Sequence, residues 1–189
     1  MDMLSTILPT KGTLLISEPF MADPNFKRTV VLVTENNGEG TVGYVLNQKS
    51  DLLLKDVISE CWDANMHIFI GGPVANDTLH FVHTVPEKIS GGANLGNGLF
   101  WGGDFEELKS QINAYNIKEE EVKFFIGYSG WSKDQLTNEL EMNAWIVSNS
   151  FDTAMVLDVS DIDIWKEAVL NMGVKYAHIT NFPQDPTLN

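Results

Sequence analysis

The serine best placed to do chemistry is Ser129, within the stretch FFIGYSGWSKDQLTNEL that runs from Phe124 to Leu140. A β-branched and aromatic run, a glycine-rich bend and a helical pattern follow one another here, which is the setting of a nucleophile elbow, Gly-x-Ser-x-Gly. An elbow requires a small residue two places after the serine, where the new helix presses on the strand. Trp131 stands at that position and Gly130 comes one residue early. Asp158, Asp161 or Asp163 followed by His178 supplies the chain order Ser, Asp, His. Acidic residues are so frequent in this chain that the order has little weight. The residues therefore predict a structural corner, with Gly127 and Gly130 turning the backbone and Trp131 filling the core above the helix. A hydrolase using Ser129 is the catalytic alternative.

Other chemistry-bearing residues are less complete. Gln135 and Glu139 are four apart and share a helix face. Beside the glycine corner and away from the Leu136/Leu140 stripe, they could line a small-molecule pocket. The run GGANLGNGLFWGG resembles a dinucleotide loop in its glycines, but a strand follows where a helix must begin, so a mobile loop is expected. His80 and His83 lie three apart in a strand pattern and point to opposite faces. No Cys/His cluster has zinc spacing. The sequence calls for no metal and no cofactor.

Composition narrows the classes. The chain has 189 residues, 43% apolar and 20% charged, enough for one domain with a sizeable core. Twelve basic residues face 26 acidic ones, a net charge of −14, and Arg28 is the only arginine. Nucleic-acid binding draws its affinity from Lys and Arg on phosphates, so direct contact with DNA is disfavoured. Cys61 is the only cysteine, which leaves no intrachain disulfide. No apolar run approaches the roughly 20 residues of a membrane span. The N-terminus lacks the basic start and apolar core of a signal peptide. A cytoplasmic protein is expected.

The elements that must position these residues are legible in outline. Residues 12–17, 28–35 and 41–47 read as buried strands, the last two joined by a hairpin at Asn37-Gly38. Residues 53–62 have helical spacing. Strands follow at 67–74 and 77–85, then the glycine loop and a short aromatic strand. Asp104 caps a helix with Glu107 three residues on, and Phe105, Leu108 and Ile112 form its apolar stripe. Residues 122–128 read as a strand, and Ser132 with Gln135 as a capping box. Strands are expected at AWIVS and at 153–159, a last helix over 163–173 stopped by Gly173, a final strand in KYAHIT, and a loose tail. Strands in runs with interspersed helices predict an α+β domain spanning 1–189, with a smaller subdomain available in the middle segment.

GTLLISEPFMADPNFKRTVVLVTENNGEGTVGYVLN, GGPV, GLFWGGD, FFIGYSGWSKDQLTNEL, NAWIV and IWKEAVLNMG occur in this order. Together they resemble the AlgH/YqgE family over about Gly12 to Gly173. The resemblance implies a mixed α+β fold with a bent, partly closed sheet. Members of that family are described as uncharacterised, or as transcriptional regulators by association with alginate control. No catalytic residue carries over. The positions to watch are Arg28, Asn47, Gly72, Pro73, Gly127, Ser129, Gly130, Trp131, Gln135 and Glu139. The glycine loop at 91–98 is longer than the family pattern. The combined expectation is a non-enzymatic binding or regulatory protein. Its partner is an unknown protein or small molecule, and any role in transcription is indirect.

Overall fold

A computed structural model describes residues 7–160 and 162–183. The strands are β1 (Leu14–Ser17), β2 (Val30–Asn37), β3 (Gly40–Val45), β4 (Lys49–Leu53), β5 (His67–Ile70), β6 (Val74–His83), β7 (Ala93–Gly96), β8 (Leu99–Trp101), β9 (Val122–Ser132) and β10 (Trp145–Ser148). The helices are α1 (Leu54–Val57), α2 (Phe105–Asn113), α3 (Gln135–Glu141), α4 (Thr153–Leu157), α5 (Ile164–Asn171) and α6 (Val174–Ala177).

The strands lie side by side in the order β10, β1, β2, β3, β9, β6, β8, β7, while β5 pairs with β9 and β4 with β5. Among the described residues every pairing is antiparallel except β5 with β9, where Ile68 lies opposite Phe124 and Ile70 opposite Ile126. The fold is α+β with a mixed sheet, as expected. The sheet is strongly bent. A Cβ on Gly12 would come within 1.9 Å of the Leu95 carbonyl oxygen, so β7 returns to the start of β1. The pairing path itself stays open, since β10 and β7 are not neighbours in it.

Continuous apolar runs form the central strands because both sheet faces are covered. Val30 and Leu32 of β2 enter a cluster with Tyr44, Phe125 and the buried residues of α4 and α5. Val31 and Val33 enter another, with Trp131, Leu136 and Trp145. A third cluster packs α1 and α2 on β5, β6 and β9 through Leu54, Leu108, Ile112, Ile68, Phe81 and Phe124.

Several expectations hold. The hairpin at 35–40 forms, with Asn37 opposite Gly40 and the Asn37 side chain accepting from the Glu39 N–H. Asp104 caps α2 by accepting from Glu107 N at 2.9 Å, and Leu108 and Ile112 are buried.

Others are corrected. The glycine loop is not a loop, because β7 and β8 form a hairpin whose two-residue turn is Asn97-Gly98, both at positive φ. Residues 153–157 are helical. Asp152 accepts from Ala154 N at 2.9 Å, and Met155, Val156 and Leu157 are all buried. So short an apolar run has no usable period. KYAHIT forms α6 and a 3-10 turn at His178–Asn181, and Ile179 folds back onto the central cluster. Gly173 ends α5 at φ +98 but with an extended ψ, and it opens α6. The helix expected at 53–62 shrinks to α1 and a 3-10 turn at Ser59–Cys61. The tail from Gln184 lies outside the described residues.

Candidate functional site

Three regions hold the residues that the sequence singled out. In the first there is no corner at Ser129, because β9 runs unbroken from Val122 to Ser132. Ser129 is fully buried and donates to the Gly71 carbonyl at 3.0 Å. Its expected triad partners are engaged elsewhere. Asp163 caps α5 by accepting from Lys166 N, Asp158 accepts from Ser160, and the His178 ring packs on Phe182. Asp161 lies outside the described residues. Gly130 is exposed in the strand at negative φ, so it provides no bend.

Trp131 fills the core as expected, and it does more. Its indole Nε1 donates to Glu139 Oε2 at 2.9 Å, the Trp145 indole donates to the same oxygen at 2.7 Å, and Gln135 Nε2 donates to Glu139 Oε1 at 3.0 Å. Gln135 and Glu139 therefore clamp α3 to the sheet, and neither lines the adjacent cavity. The capping box is only half formed. Ser132 N donates to Gln135 Oε1 at 3.2 Å, but the helix begins at Gln135 itself. Beside the clamp, between α3 and the β2–β3 hairpin, lies a groove of about 520 Å³. Leu136, Leu140 and Trp145 contribute apolar surface to it, and Lys133, Asp134 and Glu141 bring charges.

The second region is where β9 changes partners. One edge of β9 pairs with β5 at Phe124–Ile126 and then with β3 at Ser129–Ser132. Gly71 occupies the join. Its N–H donates to Ile126 O at 2.9 Å, and its carbonyl accepts from Val45 N and Ser129 Oγ. Gly127 sits at φ +68, and a Cβ there would lie 2.7 Å from Gly72 O and 2.8 Å from Val74 O. Only glycine fits that approach. Gly72 presses as closely on the Tyr128 carbonyl. A crevice of about 420 Å³ opens at this join, and Gly72 and Pro73 form part of its wall.

The third region ties down the Arg28 turn. Asn47 accepts from Val30 N at 3.1 Å and donates to Arg28 O at 2.9 Å. Arg28 has φ +49. Its guanidinium lies 4.7 Å over the Trp165 ring and donates to Phe182 O. The ten watched residues are thus not one site. Gly72, Pro73, Gly127 and Ser129 belong to the join, Trp131, Gln135 and Glu139 to the clamp, and Arg28 and Asn47 to the turn, while Gly130 is an exposed strand residue that belongs to none of them.

One residue escaped sequence reasoning. Lys123 in β9 is fully buried, donates to Asp158 O, and lies 4.0 Å over the Phe69 ring. Burial first, and the nearby Lys49 charge, lower its pKa to about 7 against the opposing pull of Asp158. The available signal was a lysine inside a run, Val122 to Ile126, that reads as buried on both faces. His80 and His83 do point to opposite faces, His80 onto Tyr44 and His83 onto Phe100. Desolvation lowers the pKa of both.

Residues 14–177 match the sequence profile described as AlgH-like. A UPF0301 protein of Bacteroides thetaiotaomicron is 39% identical, with 98% of this chain and 94% of that protein aligned. The chain belongs to the AlgH-like family. A second UPF0301 relative, from Chlorobaculum tepidum, is 38% identical over 94% of this chain and 95% of its own length. The solution structure of the AlgH protein from Pseudomonas aeruginosa superposes with a TM-score of 0.70 at 30% identity, covering 95% of this chain and 98% of that one. The crystal structure of protein DIP2367 from Corynebacterium diphtheriae shares the fold, with a TM-score of 0.76 at 24% identity over 93% and 94% of the two chains. The family is an uncharacterised one. Among the described residues no helix is long and apolar enough to cross a membrane.

Proposed function

We propose that the protein acts by binding a partner protein in the cytoplasm, without catalysis, and that any effect on transcription passes through that partner. The observation that carries this reading is the groove of about 520 Å³ between α3 and the β2–β3 hairpin. Its apolar surface, including Leu8 at 76% exposure, is edged by Lys133, Asp134 and Glu141. Exposed apolar surface rimmed by charge is the usual character of a protein-binding face. Engagement of the Ser129 hydroxyl inside β9 supports a role without acyl transfer. The net charge of −14 supports contact with protein and not with phosphate.

A photo-crosslinking side chain at Thr137, which lines the groove, tests the reading in living cells. The expected result is one discrete protein adduct that disappears in Leu8→Asp and is absent when the crosslinker sits at Asn113 on α2. Labelling of wild type by a fluorophosphonate, lost in Ser129→Ala, would replace this reading with hydrolysis. A gel shift of duplex DNA at low salt that fades steeply as salt rises would replace it with direct DNA binding.

A further inference from the structure

We propose that the crevice where β3 and β5 meet beside β9 binds a small uncharged molecule carrying amide or hydroxyl groups on an aliphatic frame. This inference is independent of the groove beside α3.

Topology is the first argument. A crevice opens in a sheet where neighbouring strands part, and in open sheets with parallel strands ligands settle there, beyond the strands' carboxyl ends. Among the described residues the only parallel pair is β5 with β9, and the carboxyl end of β5 leads directly into Gly71, Gly72 and Pro73 at the join, while β9 runs on past it to Ser132. At about 420 Å³ the crevice falls within the size range of small-ligand sites.

The chemistry of the lining selects the class. Leu52, Ile70 and Ile126 supply aliphatic surface, and Gln48, Ser50 and Asn76 supply polar groups. Leu52 and Ile70 are 41% and 43% exposed, so this apolar wall is uncovered. Among the described residues no charged side chain lines the crevice, although the chain carries 12 basic and 26 acidic residues. An ion entering would lose hydration without gaining a counter-charge, and an anion would also face the field of a chain at −14. A neutral ligand suffers neither cost.

The polar groups retain capacity. Gln48 Nε2 is spent on Asn25 O at 2.8 Å, and Ser50 Oγ donates to Ile68 O at 2.7 Å. The Gln48 carbonyl oxygen remains as an acceptor, and Ser50 Oγ, which already accepts from Leu52 N at 3.2 Å, keeps one lone pair. The Asn76 amide has no protein hydrogen bond among the described residues, and it offers both a donor and an acceptor. Ala75 is kept at φ +49, a conformation costly for a residue with a side chain, and its carbonyl accepts from Thr78 Oγ1 at 2.8 Å.

The test uses the full-length protein, methyl-labelled and followed by NMR. It is titrated with N-acetylleucine methylamide, which is neutral, and with N-acetylleucine, which is the same frame bearing a carboxylate. The methylamide is expected to bind with a Kd on the order of 1 mM, shifting the methyls of Leu52, Ile70 and Ile126. N-acetylleucine should bind at least about five-fold more weakly. Asn76→Ala, at an exposed position, should weaken the methylamide by about five-fold. Leu52→Trp should block the crevice, and Leu8→Asp should change nothing. Absence of shifts at these methyls, equal affinity for the two probes, or an unaltered affinity in both Asn76→Ala and Leu52→Trp overturns the proposal. Loss of the Thr137 adduct leaves it untouched, since that result bears on the groove alone.

Discussion

Strand β9 holds a helix to the sheet near each of its ends, and the two attachments are built on opposite principles. Near its carboxyl end, Glu139 of α3 meets the Trp131 and Trp145 indoles and the Gln135 amide, so every buried donor has an acceptor. Near its amino end, the Lys123 ammonium meets a single backbone carbonyl at the end of α4 and the face of Phe69. Both put a charged group against apolar surroundings. At the clamp the charge is distributed over three hydrogen bonds. At Lys123 desolvation wins, and the proton is held loosely. Lys123 is fully buried with one hydrogen-bond partner, whereas Glu139 is half-buried with three, so burial and partner number together separate the two ends.

The largest effect should come from the poorly served end. In the unfolded chain Lys123 titrates near 10.4, whereas in the folded protein it titrates at about 7. Below pH 7 both states hold the proton and stability does not depend on it. Above pH 7 the folded state releases a proton that the unfolded state keeps, so stability rises with pH. From pH 7 to about pH 9.5 the gain is roughly 3 kcal/mol. Urea unfolding at several pH values should show this rise in wild type and lose it in Lys123→Met, a variant that is also more stable at pH 7. Parallel profiles for the two proteins would erase the contrast.

The clamp should respond in the opposite sense. Glu139→Ala strands two buried indole donors and should cost about 3 kcal/mol in chemical denaturation, whereas Glu139→Gln keeps an acceptor and should cost about 1 kcal/mol. Equal losses would mean that the charge, and not the acceptor count, holds α3. Between the two ends, Gly127→Ala forces a Cβ against two carbonyls at positive φ and should lower stability by about 2 kcal/mol. The smallest effect is expected for Ser129→Ala. Gly71 O keeps its bond from Val45 N, so the loss should be about 1 kcal/mol or less.

The central strands and the capped α2 were legible because their signals are local: buried β-branched runs, Asn37-Gly38, and Asp104 three residues before Glu107. The same local rule was present at Asn97-Gly98, where surrounding glycines masked a hairpin as a loop. Residues 153–157 misread because three consecutive buried residues, Met155, Val156 and Leu157, are too few to show a helical period, although Asp152 stood ready as a cap. Ser129 misread because a glycine near a strand end suggests a bend, whereas Gly127 is there for the carbonyls of Gly72 and Val74, which are remote in sequence. Gly72 and Gly127 come from separate family blocks, and the close approach between them is set by the pairing of β6 with β9. The indole clamp and the Lys123 contact with Asp158 depend on how strands are ordered, which no local pattern encodes.

The Gly71 join has a mechanical consequence. Its amide and carbonyl fasten the end of β5 to β9 and β3 at once. A pull on the Gly72–Pro73 loop is therefore shared among three strands and loads their hydrogen bonds in shear, so this rim of the molecule resists peeling away from the rest.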